Sequence, residues 1–258
     1  MPIATRTPAA GDNRRIRVAA DLHCHILPGL DDGARDLEDS VAMARQAQAD
    51  HIAAICATPH IRHDHEVHIP ELAARLAEVK AAVSEAGCTT RILPGGELAT
   101  TALDGLDDDE LAAVSLGGAG RWILLEPAPG PLDERLDAAV DELRTRGFRS
   151  LIAHPERHLA PDLVARLRAL IARGAIVQAT AAFVTDEAAR PGMLALARAG
   201  VLHVLASDAH SSRAGRPVAI SRALEDLGNA APLSAHLEWI ALTAPAAIIR
   251  GDELTAPF

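Results

Sequence analysis

Seven short apolar runs, most of them ending at a histidine or a carboxylate, constrain this chain more than any other feature. The runs are Ile16–Leu22, Ile52–Ala57, Arg91–Leu93, Trp122–Leu125, Ser150–Ala153, Ala175–Ala179 and Leu202–Ala206. Their length and apolar content predict buried strands. Between them lie amphipathic stretches with helix punctuation. Asp36 is placed to cap a helix through Val41, Ala44 and Ala47, and Pro70 suits the first turn of one that Gly87 ends. Gly147, Gly174 and Gly200 sit just past further amphipathic runs, and Asp186 and Ser234 stand where later helices need caps. Strands alternating with helices make parallel βα units. Seven units in 258 residues predict one α/β domain, closed or nearly closed into a barrel, with its chemistry at the C-terminal ends of the strands.

The polar motifs fall at those ends. They are Asp21-Leu22-His23-Cys24-His25, Thr58-Pro59-His60, Gly96-Glu97, Leu125-Glu126-Pro127, Ala153-His154-Pro155-Glu156-Arg157 and Ser207-Asp208-Ala209-His210. Only the sixth run, ending near Thr180, offers no ligand. Imidazole and carboxylate without thiolate suit Mn, Fe or Zn in a reactive centre rather than a structural zinc site. Six such motifs converging on one barrel end predict a polynuclear metal centre, and hence an enzyme.

Composition excludes several alternatives. A net charge of −10 argues against a nucleic-acid surface, which needs clustered Lys and Arg. Cys24, Cys56 and Cys88 are odd in number and widely spaced, as expected in a reducing compartment. No apolar stretch approaches the roughly 20 residues of a membrane span, so no membrane insertion is expected. Residues 1–17 lack an apolar signal core and read as a flexible polar tail before a single domain at 18–258. The expected location is cytoplasmic. Oligomeric state stays open.

The run from Asp21 to Ala34, containing H-x-H-I-L-P-G-x-D-D-G-A, resembles the opening motif of the PHP (polymerase and histidinol phosphatase) superfamily. Within it the similarity is to the bacterial manganese-dependent protein-tyrosine phosphatases of the CpsB/YwqE/CapC type. The Ala57–His60, Ala153–Arg157 and Ala206–His210 segments agree in order and spacing, so the resemblance covers roughly Ala20 to Leu254. It implies a distorted seven-stranded (β/α) barrel of the PHP type and three divalent ions, Mn²⁺ first with Fe or Zn as alternatives. His23, His25, Glu97 and Asp208 would hold the first ion. Glu97 would bridge to a second, completed by Glu126 and His154. Asp32, His60 and His210 would hold the third. Arg157 and Arg216 would clamp phosphate oxygens, with Arg213 the alternative to Arg216.

The implied reaction is hydrolysis of a phosphomonoester by in-line attack of a metal-bridging hydroxide, with no phospho-enzyme. The implied substrate is phosphotyrosine on a bacterial tyrosine kinase of capsule or exopolysaccharide synthesis. Two other readings stand beside it: a small-molecule phosphatase acting on a compound such as histidinol phosphate, and an inactive metal-binding regulator. The chain departs from the family pattern at Ile61, where a second histidine is usual, at His158, where an aromatic is usual, and along Gln178–Phe183.

A competing signature is Cys56-x₅-Arg62, the pattern of cysteine-dependent phosphatases. Such a loop must turn successive N–H groups toward phosphate, and Pro59 has none to give. Cys56 reads instead as a buried thiol. Cys24, alternating with His23 and His25, is expected to face away from them. His63, His65 and His68 read as a solvated loop at the cleft rim.

Overall fold

The computed structural model describes residues 16–228 and 235–257. The Ser234 cap and residues 1–15 of the expected tail lie outside them. Ile16 packs against the core and so belongs to the domain rather than to a tail.

Among the described residues there are nine strands, all paired parallel, not seven. They are β1 Asp21–Cys24, β2 Ala54–Ala57, β3 His60–Ile61, β4 Arg91–Leu93, β5 Glu97–Ala99, β6 Trp122–Glu126, β7 Arg149–Ile152, β8 Ile176–Thr180 and β9 Val204–Ala206. The seven expected runs correspond to β1, β2, β4, β6, β7, β8 and β9. The extra two, β3 and β5, are continuations. Pro59 separates β2 from β3, and Pro94-Gly95-Gly96 separates β4 from β5. Proline interrupts a ladder because it cannot donate, so each of these strands is broken in two. The first halves, β2 and β4, form a three-stranded sheet with β1, in the order β1-β2-β4; the second halves join a six-stranded sheet, β3-β5-β6-β7-β8-β9. Gly96 is needed at the second break, since a Cβ there would lie 2.9 Å from the Val114 Cβ.

The result is an α/β fold with a curled parallel sheet. Beyond the sheets' own ladders, β9 meets β1: the Asp208 N–H donates to the His23 carbonyl at 2.8 Å and the His25 N–H to the Ala209 carbonyl at 2.9 Å. The Asp21 carboxylate secures this join by accepting from the Ser207 hydroxyl at 2.5 Å and from its N–H at 3.0 Å.

Helices fill the connections as their punctuation dictates. Leu37–Ala49 is capped by the Asp36 carboxylate, which accepts from the Asp39 N–H at 2.8 Å. Leu72–Glu85 follows a single 3₁₀ turn that contains Pro70, and Gly87 leaves it in the left-handed region at φ +69°. The Asp186 carboxylate accepts from the Ala188 and Ala189 N–H groups just ahead of Arg190–Arg198.

Strand alternation sorts side chains into two cores. Ile55, Ile123, Ile152 and Val177 join the large core beneath the helices, while Ala54, Trp122, Leu124 and Leu151 join a smaller inner core. The inner core includes Ala244 and Ile248 of the C-terminal helix Ala244–Arg250. In β1 the pattern changes phase. Ala20 and Leu22 belong to the inner core, but a register shift between Asp21 and Cys24 sends Cys24 to the outer one. That shift turns His23 and His25 together toward the centre, with Cys24 facing away as expected.

Candidate metal centre

The strand ends carry their polar side chains to one place. His23 lies in β1 and His25 just beyond; His60 opens β3 and Glu97 opens β5, in register with each other. Glu126 ends β6, while His154 and Asp208 follow β7 and β9. Asp31 and Asp32 come from the first loop, which folds back so tightly that a Cβ at Gly33 would overlap the His25 carbonyl. His154 (φ 29°) and Asp208 (φ 50°) are two of only three non-glycine residues with positive φ among those described. A left-handed backbone costs energy for such residues, and the fold tolerates it where these side chains must turn inward.

The nine residues expected to be ligands fall into overlapping groups, although Glu126 and His154, expected to share an ion through Glu97, stand in different groups. The groups are His23, His25 and Asp208; His23, Glu97 and His154; His60, Glu97 and Glu126; and His25, Asp32, His60 and His210. Glu97 is the hub. Its Oε1 lies 2.8 Å from His154 Nε2, and its Oε2 lies 3.1 Å from His23 Nε2, 3.3 Å from His25 Nε2 and 3.0 Å from His60 Nδ1. On the outer side His60 and His210 approach Asp32 at 3.6 and 3.4 Å.

The hydrogen bonds behind the cluster decide which atoms are free to bind a cation. Gln178 Oε1 accepts the His154 N–H at 3.3 Å, so the oxygen is correctly placed, and His23 Nδ1 at 3.1 Å must be protonated to donate to it. Asp31 Oδ2 accepts from His25 Nδ1 at 2.8 Å. When neutral, both imidazoles therefore present Nε2 lone pairs, and those atoms face each other at 3.2 Å. Two lone pairs so placed repel, and either a proton or a metal ion relieves them. His60 Nδ1 and His154 Nδ1 are buried without a well-directed hydrogen bond, which is costly for polar atoms away from water. A set of inward-facing donors backed by a carboxylate and an amide is what divalent ions require. The residues fit.

Protons and metal ions compete for these nitrogens. Burial works against a charged His25, yet hydrogen bonds to Asp31 and Glu97 lift it to about 10. His210 stacks on it with ring centroids 3.9 Å apart, and desolvation together with the His25 charge pushes it down to about 4. Burial would raise Glu97, but the His23 charge and hydrogen bonds from His154, His23 and His25 hold it well below the carboxylate range. Desolvation and the neighbouring Glu97 charge push Glu126 up.

Above the cluster lies a cleft of about 410 Å³ bordered by three arginines, Arg62, Arg157 and Arg216. Arg157 pairs with Asp208 rather than with its neighbour Glu156, which instead accepts the Thr180 N–H at 2.8 Å. Arg216 reaches the Asp208 carboxylate at 3.1 Å and its carbonyl at 2.8 Å. Arg213 does not border the cleft; it pairs with Asp36 and Glu38 at the surface. Of the histidine tract, His65 stacks on His60 at 5.1 Å, and His63 Nε2 lies 3.0 Å from the Thr101 carbonyl. Cys56 is buried within β2, and burial pushes its thiol up to about 12, which leaves almost no thiolate.

Sequence reasoning missed Asp31, Gln178, Asp21 and Arg62. The first two orient ligands and the third secures the β1–β9 join. Adjacent Asp31 and Asp32 are chemically identical, and only the loop path separates the residue that buttresses His25 from the one that faces the cleft. Gln178 had a signal in being a polar residue inside an apolar run.

Comparison with known proteins identifies relatives of this chain. A family model described as capsular polysaccharide synthesis, CpsB/CapC, matches residues 19–249. The tyrosine-protein phosphatase YwqE of Bacillus subtilis (strain 168) is 31% identical over 198 residues, covering 74% of this chain and 77% of that protein. The tyrosine-protein phosphatase CpsB of Streptococcus pneumoniae is 26% identical over 160 residues, 61% of this chain and 65% of that one. A crystal structure from a study of these two enzymes, described as unique metal-dependent tyrosine phosphatases, superposes with a TM-score of 0.75. It is 26% identical and covers 90% of this chain and 95% of that one.

Proposed function

Because the chain belongs to the CpsB/CapC capsular polysaccharide synthesis family, we propose that it is a metal-dependent protein-tyrosine phosphatase. The facing Nε2 atoms of His23 and His25 carry this reading, since their other nitrogens are turned to Gln178 and Asp31 and both Nε2 atoms converge with Glu97 and Asp208, a donor set that suits a divalent ion. His23, His25, Glu97 and Asp208 hold one ion; Glu97, Glu126 and His154 a second; Asp32, His60 and His210 a third. Mn²⁺ is the expected ion, with Fe or Zn as alternatives. The nine strands read as seven staves of a distorted barrel, two of them broken by proline, with residues 18–258 as one domain.

Divalent ions in such a site supply a nucleophilic water near neutral pH and polarise the phosphoryl oxygens. The protein's own groups do the rest. Asp31 and Gln178 keep His23 and His25 in the tautomer that binds. Arg157 and Arg216 stand at the cleft rim on one shared anchor, Asp208, so that a dianionic phosphoryl group entering between them meets planar, preorganised donors. Asp208 thereby links the ion site to the phosphate clamp. The acidic protein as a whole does not repel the substrate, because three divalent ions outweigh the four ligand carboxylates at the point of binding.

The substrate is phosphotyrosine on a protein partner, a bacterial tyrosine kinase of capsule or exopolysaccharide synthesis, and the site of action is the cytoplasm. Among the described residues no helix is long and apolar enough to cross a membrane. The test is hydrolysis of a phosphotyrosine peptide before and after exhaustive EDTA treatment, then with Mn²⁺ restored. Activity should vanish and return; turnover that survives chelation would refute the metal assignment. Comparing kcat/KM for that peptide with histidinol phosphate separates the protein phosphatase from a small-molecule phosphatase.

A further inference from the structure

An aromatic leaving group gains from a flat surface to lie against, and among the described residues no Phe or Trp supplies one beside the cluster. The chain contains no tyrosine, three phenylalanines and two tryptophans. Among the described residues, no phenylalanine or tryptophan lines the cleft or the side pocket that adjoins it. The side pocket, about 220 Å³, is lined by Pro127, Ala128 and Pro129, by Ala99, Thr100 and Thr101, and by His63 and Asp64. It shares two residues with the central cleft, Glu126 and Arg62. Arg62, with Glu126, therefore borders both the phosphate-sized space over the cluster and the recess beside it.

Its contacts keep it flat and in place. Nε and Nη2 bond the two oxygens of Asp64 at 2.9 and 2.6 Å, a fork that fixes the guanidinium plane. Nη1 makes only long contacts to Glu126, at 3.4 and 3.5 Å. An exposed pair two residues apart adds little to stability, so its effect is to aim the guanidinium. Arg157 and Arg216 both lean on Asp208, whereas Arg62 stands apart on the Glu126 side and is not part of that clamp.

We propose that Arg62 is the specificity-determining residue that receives the phenol ring of the substrate, its guanidinium face stacking on the ring while Pro127 and Pro129 close the recess around it. Guanidinium planes stack on aromatic rings and attract them electrostatically. The inference rests on the phosphotyrosine reading above and adds where the ring goes.

The experiment compares wild type with Arg62→Ala and Arg62→Lys, all loaded with Mn²⁺. It measures KM and kcat for a phosphotyrosine peptide and the competitive Ki of inorganic phosphate, which has no ring. KM for the peptide should rise about tenfold in Arg62→Ala, with Ki for phosphate changing less than about twofold. Arg62→Lys should resemble Arg62→Ala, because an ammonium keeps the charge but offers no flat face. Equal weakening of peptide and phosphate would overturn the proposal and assign Arg62 to the phosphate clamp. An unchanged peptide KM in Arg62→Ala, or full retention by Arg62→Lys, would overturn it too. If wild type fails to hydrolyse the peptide at all, the proposed function itself falls, a result distinct from any variant outcome.

Discussion

The two ends of the curled sheet obey different rules. Around Trp122, Leu124 and Leu151 the inner core is apolar, regularly alternating and fully buried. At the opposite end of the same strands the backbone is broken at Pro59 and Pro94, shifts register in β1 and takes positive φ at His154 and Asp208. Buried polar atoms at that end lack directed partners. Each irregularity carries a cost that the regular end offsets. Stability is concentrated in one half of the molecule and chemistry in the other.

The sharpest way to break this contrast is to alter one residue at each end. Asp208→Ala removes a ligand and the anchor of both clamp arginines, so kcat/KM should fall by at least about 10³-fold. Ion content measured on the same preparation should also fall, while the urea midpoint of ion-free protein moves little. Retention of full activity would sink the site assignment. Leu124→Ala should do the reverse. Truncating a fully buried leucine costs about 2–5 kcal/mol, visible as a lower urea midpoint, yet the fraction still folded should keep its kcat. A parallel loss of kcat would show that the two ends are not separable.

A smaller effect comes from pH. His203 is buried beside β8, accepting the Val177 N–H at 3.0 Å, and desolvation lowers it to about 4. The unfolded chain binds that proton near 6.5 and the folded protein does not until about 4. Stability should therefore fall as pH drops through this window and level off below it. Measured on ion-free protein, His203→Gln should flatten that part of the stability profile. An unchanged slope would mean that other groups set the acid limit.

The regular end was legible from the sequence because alternation and helix punctuation are local signals. All seven apolar runs became strands, and Asp36 and Gly87 bound their helices as expected. The ligand residues were legible for another reason: histidine and acid at strand ends have few uses in an apolar domain. Less accessible was everything that depends on the path between motifs. β3 and β5 are two and three residues long, too short for periodicity, and their ladders exist only because proline broke longer strands. Asp31 and Asp32 differ in role through loop geometry alone. Arg62 was visible in the Cys56-x₅-Arg62 signature, but its position between two cavities follows from where β3 and β6 end.

The join between β1 and β9 has a consequence for how the protein is made. The Asp21–Ser207 hydrogen bonds that secure it link residues 186 positions apart. Contacts of such separation form late, because the entropy of closing so long a loop must be met before they contribute anything. His23 and His25 leave the ribosome well before Asp208 and His210. Seven of the nine proposed ligands therefore wait for the last two, and closing of the cluster marks the end of folding rather than its beginning.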